Sequence, residues 1–306
     1  MTAAVLTKGI DPLKKKKRIY EVDLLRGIPI FLVVLYHFCY DITQLPSLIS
    51  NYQSIINNYP ALDSFVSLCQ EIMSNSFLHD ILVPFFAGMF LFTCGISSSL
   101  SRNNLRRGLL LCGAALLISL GSYLISDILH YNVFIGFGIL HIMGLSILIY
   151  ALIELFYKKV LKKEVPVLLC FVIGFLVFFI GLFLRNGYLT DSLSTVTWPV
   201  SSISGISYLD WINKDPLSPL YVALGYYSAP IDYWPIFPYL GLIFLGIAVG
   251  KILYQNKKES YLQFLRFPVF KPILFIGGHT LWVYFLHQPI IIIILGVILL
   301  SMGFRL

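Results

Sequence analysis

Seven apolar stretches, each close to the length that crosses a lipid bilayer, constrain the fold of this chain more than any other feature. A spanning α-helix needs about 20 mostly apolar residues, because its backbone groups must be satisfied without water. Only 12% of the 306 residues are charged, against about 25% in a soluble domain. The sequence therefore predicts one all-α, polytopic transmembrane helix bundle. The predicted spans lie near residues 20–40, 80–100, 108–126, 133–155, 165–184, 236–254 and 279–301.

The segments that connect these spans are alternately rich and poor in lysine and arginine. Basic clusters follow the second, fourth and sixth spans, whereas the segments after the first and third contain no Lys or Arg. Because basic segments stay in the cytoplasm, we expect a cytoplasmic N-terminus and a C-terminus outside. We divide the chain into a basic tail, 1–18, and a transmembrane domain, 19–306, with extracytoplasmic loops at about 41–79 and 185–235. The net charge of +7 thus reflects topology, and no nucleic acid is expected as a partner.

The first span carries ionisable side chains that are rare inside a membrane. Residues 18–41 read RIYEVDLLRGIPIFLVVLYHFCYD, and Asp23, Arg26, His37 and Asp41 fall close to one helical face. Arg26 and His37 lie about 16 Å apart along such a helix. Ionisable residues in a span normally face a bundle interior or a wet cavity. An interfacial ion pair of Asp23 with Arg26 is the alternative, as is a capping role for His37.

The later spans also carry polar side chains, at depths in the membrane similar to those in the first span. His79 and Asp80 open the second span at the outer face, and His141 lies about two turns into the fourth. His287 and Gln288 lie about two turns into the seventh span from the cytoplasm and precede a proline, which removes a backbone hydrogen bond. An ordinary hydrogen bond between helices is the alternative for His141 and His287.

These positions predict an outer chamber for chemistry. We assign His37, Asp41 and Asp80 to catalysis, because a histidine with a carboxylate suits general-base chemistry on a hydroxyl or amine. His79 and His141 are the candidates for contact with the acceptor substrate.

The same positions predict an inner chamber for a donor. Arg26, His287 and Gln288, together with the basic loops, suit a polyanionic cytoplasmic molecule, and coenzyme A fits because its phosphates would stay at the basic face. No cysteine and histidine spacing resembles a zinc site, so no metal is expected. Cys39 and Cys69 both fall on the outer side, where an oxidising compartment could join them.

Five stretches, in matching order from about residue 18 to 290, carry a family resemblance. They are RIYEVDLLRGIPIFLVVLYHFCYD, PFFAGMFLFTCGISSSLSRNN, GFGILHIMGLSILI, FPYLGLIFLGIAVGKILY and HTLWVYFLHQPI. The chain resembles the bacterial relatives of heparan-alpha-glucosaminide N-acetyltransferase, a transmembrane acyltransferase group. Its opening LLRGIPIFLVVLYH is also similar to acyltransferase family three, whose first helix carries a hallmark Arg and, about ten residues further, a His. Those positions are Arg26 and His37 here.

The resemblance implies acetyl-CoA as the cytoplasmic acyl donor and a sugar acceptor on the other side. In the lysosomal enzyme the catalytic His lies about ten residues before the Asp that opens the second span. Asp80 matches that Asp, but Gln70 stands near the place of the His. We therefore assign the base to His37, with His79 as the alternative.

The expected function is a membrane-embedded acetyltransferase that acts on an extracytoplasmic sugar or amino sugar, as in polysaccharide modification. N- and O-acetylation both stay open, as does a homodimer. The expected location is a bacterial cytoplasmic membrane. A transporter or flippase for a small polar or sugar-linked substrate is the alternative, because intramembrane ionisable residues commonly mark transport paths. A non-catalytic assembly partner is a third option.

Overall fold

The computed structural model describes residues 18–129, 134–188, 220, 223–224, 232–254 and 260–303, without the side chains at 79–80, 129 and 184–188. Within these ranges the chain forms ten α-helices and no β-strand. The helices are α1 (Tyr20–Leu48), α2 (Tyr52–Asn58), α3 (Pro60–Ser74), α4 (Val83–Ser99), α5 (Asn104–Leu129), α6 (Ile139–Phe156), α7 (Val167–Tyr188), α8 (Ile236–Tyr254), α9 (Lys271–Gly278) and α10 (Thr280–Ser301).

Five of these helices, α1, α5, α6, α8 and α10, are long and apolar enough to cross a membrane. The described parts of α4 and α7 are shorter apolar segments. Each of the seven predicted spans overlaps one of these seven helices, so the predicted helical membrane bundle is confirmed. Apolar side chains point outward from the bundle as well as inward, as is typical of helices that face lipid.

The segment at 41–79, which we expected to be an extracytoplasmic loop, is mostly helical. α1 continues to Leu48, and α2 and α3 fold back against it. The reason is that the apolar faces of these helices bury one another. In addition, the side-chain amide of Asn51 donates a hydrogen bond of 2.8 Å to the carbonyl of Gly303 after α10. The outer cluster consists of Ile42, Leu45, Ile49, Tyr52, Ile55, Val66, Cys69 and Leu299.

Glycines allow the helices to pack with their backbones close together. A Cβ on Gly95 of α4 would collide with the Ile243 carbonyl of α8, and a Cβ on Gly246 of α8 would collide with the Phe92 carbonyl of α4. Gly27 of α1 lies against the backbone of α9 in the same way. Such small-residue contacts join membrane helices because lipid provides no hydrophobic driving force between them.

The segments predicted to be cytoplasmic lie together at one end of the bundle, which we call the basic end. The Asn104 amide donates a hydrogen bond of 2.8 Å to the Glu154 carboxylate, and Lys158 lies 3.9 Å from the same carboxylate. The Glu21 carboxylate of α1 accepts a hydrogen bond of 2.8 Å from the backbone N–H of Tyr261. These contacts join the start of α5 to the end of α6, and the start of α1 to the segment before α9.

Candidate active site

A cavity of about 610 Å³ extends from the basic end into the bundle. Its volume lies in the range of roughly 300–1,000 Å³ that is typical of small-molecule sites. Three arginines line it, and none of the described residues in its wall is an Asp or Glu. The wall therefore presents positive charge and hydrogen-bond donors. Its polar residues are Arg26, Ser97, Ser101, Asn103, Arg106, Arg107, His279, Thr280 and Tyr284.

Arg26 enters this cavity from α1, where the predicted charged stripe faces the bundle. Its guanidinium donates a hydrogen bond to the Ser97 hydroxyl of α4 and lies 3.9 Å from the Asp23 carboxylate. Asp23 also forms a salt bridge with Arg18 at 3.0 Å, so its single negative charge is shared between two arginines. The Nε of Arg26 is buried and has no hydrogen-bond partner among the described atoms. The ion pair with Asp23 is therefore present, but it leaves donors of Arg26 free for an anion.

Arg106 and Arg107 are cavity residues that the sequence analysis included only in general terms, among the basic loops expected near the donor. They stand in the first turn of α5, directly after the α4–α5 turn, and they line the cavity beside Arg26. The Arg107 guanidinium donates to the Ser98 hydroxyl at 3.4 Å. The available signal was the run RNNLRR after the second span, which places three arginines within six residues.

His37 and His287 form a ring pair between α1 and α10. Their ring centroids are 4.9 Å apart, and the rings are nearly perpendicular at 75°. The Nδ1 of His37 bonds to the Val33 carbonyl at 2.9 Å, and the Nδ1 of His287 bonds to the Tyr284 carbonyl at 2.6 Å. A carbonyl can only accept, so each Nδ1 carries a proton and each Nε2 is the acceptor in the neutral ring.

Asp41 and Gln288 form the next contact along the same two helices. The Gln288 side-chain N–H group donates to both carboxylate oxygens of Asp41, at 2.9 and 2.8 Å. His287 and Gln288 therefore lie with His37 and Asp41, and neither lines the cavity with Arg26 as we had expected. The reason is that the first turns of α10, up to Tyr284, line the cavity, and His287 and Gln288 lie one turn further along the helix.

His141 uses both ring nitrogens within the protein. Its Nδ1 accepts the backbone N–H of Gly138 at 3.0 Å, which caps α6, and its Nε2 lies 3.0 Å from the Ser119 hydroxyl of α5. This arrangement matches the alternative of an ordinary interhelical hydrogen bond. Contact with an acceptor substrate stays a prediction for His141.

Asp232 is a site residue that our sequence reasoning did not single out. Its carboxylate accepts hydrogen bonds from the Tyr284 hydroxyl at 2.8 Å, the Trp234 indole at 2.7 Å and the Ile139 backbone N–H at 3.3 Å. Tyr284 lines the cavity, and its backbone carbonyl accepts the hydrogen bond from Nδ1 of His287. The hydrogen bond from the Tyr284 hydroxyl to Asp232 therefore lies between the cavity and the histidine pair. The only sequence signal for Asp232 was that it is an acidic residue just before the aromatic start of the sixth predicted span.

Two other predicted site residues have no described side chains. His79 and Asp80 fall in the π-helical turn Leu78–Leu82 that leads into α4, but their side chains lie outside the described atoms. Most of the aromatic segment at 185–235 also lies outside the described residues. Among the residues that are described, no three His, Cys, Asp or Glu side chains are grouped as a metal ion would require.

Comparison with known proteins identifies the family. The model of the heparan-alpha-glucosaminide N-acetyltransferase catalytic domain matches residues 18–289, which include all ten helices except the second half of α10. Neither the curated proteins nor the solved structures contain a match to this chain. The match covers the cavity, the histidine pair and the Asp41–Gln288 contact. The chain belongs to the heparan-alpha-glucosaminide N-acetyltransferase family, and it is an integral membrane acetyltransferase.

Proposed function

We propose that this protein transfers an acetyl group from acetyl-CoA, bound at the basic end, to a sugar or amino sugar on the opposite side of the membrane. The observation that carries the proposal is the arginine-lined cavity, which ends at Tyr284, one helical turn from the His37–His287 pair. An anion-binding cavity and a base would then stand at the two ends of one path.

The cavity wall suits the phosphates of coenzyme A. Arginine presents five N–H donors in a planar fork that matches phosphate oxygens, and Arg26, Arg106 and Arg107 provide three such groups. Acetyl-CoA would supply an acetyl group activated as a thioester. With the phosphates at the arginines, the narrow pantetheine arm is the part that extends toward Tyr284.

His37 is the base that the geometry favours for the acceptor. Its Nδ1–H bond to Val33 fixes the ring tautomer, so Nε2 can take a proton from an acceptor amine or hydroxyl. Asp41 lies one turn further along α1 and is held by Gln288. We keep Asp80 as a second carboxylate, as the resemblance implies, and His79 as a contact with the acceptor. His287 and Gln288 lie at the end of the donor's path in this arrangement.

We also propose that the basic end faces the cytoplasm of a bacterial cell. The support is that the arginine and lysine clusters lie at one end of the bundle, as the positive-inside rule requires. Maleimide should then label a cysteine introduced at Lys159 only from the cytoplasmic side. One introduced at Ser67 of α3 should be labelled only from outside. The reverse labelling would contradict this orientation.

Release of CoA thiol by the purified protein tests the proposed reaction. We expect release from acetyl-CoA to rise when glucosamine is added and product to carry the acetyl group. The control acceptor N-acetylglucosamine has a blocked amine, so it separates N- from O-acetylation. If no acceptor increases thiol release, but proteoliposomes accumulate sugar without acetylating it, the protein is a transporter instead.

A further inference from the structure

His287 offers a buried basic nitrogen that no protein group uses. The residue is 9% exposed, and its Nε2 has no hydrogen-bond partner among the described atoms. Leaving a buried polar atom unpaired costs about 1–3 kcal/mol, so an atom of this kind in a native site calls for a function. The other ring nitrogen is fixed on the Tyr284 carbonyl, so the ring cannot turn to satisfy Nε2 without breaking that bond.

The position of His287 is between the donor cavity and His37. On the donor side, its ring centroid is 5.5 Å from that of Tyr284, which lines the cavity. On the acceptor side, its ring contacts His37. The carboxylates near the pair are Asp41, held by Gln288 on the outer side, and Asp232, bonded to Tyr284 on the inner side.

We infer that His287 is a second catalytic residue, which delivers the acceptor's proton to the leaving thiolate. The inference rests on the proposed acetyl transfer. The acceptor N–H or O–H attacks the thioester carbonyl carbon, the new C–N or C–O bond forms, and the C–S bond breaks. His37 takes the proton of the acceptor on Nε2 and passes it to Nε2 of His287. The His287 ring then releases the Tyr284 carbonyl and turns, and its Nε2–H gives the proton to the CoA thiolate. The products are the acetylated acceptor and neutral CoA thiol, so atoms and charge balance.

Two variants separate this role from a structural one. His287→Asn retains a side-chain N–H that can reach the Tyr284 carbonyl, but it removes Nε2. His287→Gln retains a polar group at the other end of the ring and serves as the second variant if the first does not fold. Ile293→Ala, which changes an exposed apolar side chain on the same helix, is the matched control.

The decisive substrate pair is acetyl-CoA and its selenoester analogue. A selenol is a stronger acid than a thiol, so a selenolate leaves without needing a proton. We expect His287→Asn to lower turnover of acetyl-CoA about 10²-fold or more, as for loss of a positioned acid or base. With the selenoester it should regain most of the wild-type rate. His37→Asn should stay inactive with both donors.

Three results would decide against this role. Wild-type turnover of acetyl-CoA by His287→Asn or His287→Gln would overturn it. An equal loss with both donors would overturn it too, because His287 would then act by packing. If the wild-type protein turns over neither donor in the presence of any acceptor, the proposed function itself fails, and this inference fails with it.

Discussion

The inner cavity and the histidine pair differ in what they offer a ligand. The cavity is wide, and its described wall has arginine donors with no carboxylate. The region around His37 and His287 is tightly packed, and its free polar atoms are acceptors, namely the two Nε2 atoms and the buried Oε1 of Gln288. The first region suits an anion, and the second suits a group that gives up a proton.

This difference shows how one helix can organise both halves of a transfer reaction. Arg26 and His37 belong to α1 and lie about 16 Å apart along its axis. Lining up reacting groups on one rigid element fixes their separation, which is what a near-attack geometry requires. α10 lies beside α1 and supplies the second histidine, so the histidine pair is built from two helices that pack in parallel.

The largest expected effect is the loss of the base. His37→Ala should lower acceptor-dependent CoA release about 10²–10⁴-fold, because a positioned general base contributes that much. Binding of CoA, measured by calorimetry, should stay unchanged, because His37 lies outside the cavity. Leu35→Ala, on an exposed position of the same helix, is the control. Full activity in His37→Ala combined with inactivity in His79→Ala would move the base to the start of α4.

Substitution of Arg26 should weaken CoA binding, which substitution of His37 leaves unchanged. Arg26→Ala should weaken CoA binding by about 1.5–3 kcal/mol, the range for a hydrogen bond to a charged group. Arg26→Lys should recover only part of this loss, because an ammonium cannot replace a planar fork. Calorimetric titration measures both. An unchanged CoA affinity in Arg26→Ala would mean that Arg26 serves only its contacts with Asp23 and Ser97.

The sequence predicts the spans well because apolar length is a local property. It also predicts the polar stripe of α1, since helical periodicity places Arg26 and His37 on the same face as the bundle interior. It could not predict which residues of α10 line the cavity, because that depends on how α1, α4 and α10 pack together in the folded chain. The hydrogen bond between Asp232 and Tyr284 was not predicted for the same reason, since it joins residues 52 positions apart.

Gln288 should matter for stability more than for donor binding. Gln288→Ala leaves the Asp41 carboxylate without its two hydrogen bonds, which should lower the free energy of unfolding by about 1–3 kcal/mol. Thermal unfolding in detergent measures the loss, and CoA affinity should be unaffected. A large drop in CoA affinity with normal stability would return Gln288 to the donor site, where we first placed it.

The smallest expected effect concerns the outer helices. Cys39 and Cys69 are free thiols in the structure, and no disulfide joins them among the described residues. Burial, together with Cys39 nearby, raises the pKa of the Cys69 thiol, so it is protonated at neutral pH and reacts slowly. Maleimide should label Cys69 far more slowly at pH 7 than a cysteine placed at the exposed Leu68, and labelling should accelerate as the pH rises. Equal rates at pH 7 would mean that α3 does not pack on α1.

Transfer across a sealed membrane tests the link between the two regions most directly. Proteoliposomes would enclose acetyl-CoA labelled in the acetyl group, with glucosamine only outside. The label should appear on the external amino sugar while CoA stays inside, and His37→Ala vesicles should show neither change. Acetylation only when donor and acceptor share one compartment would contradict a path from the arginine cavity to the histidine pair.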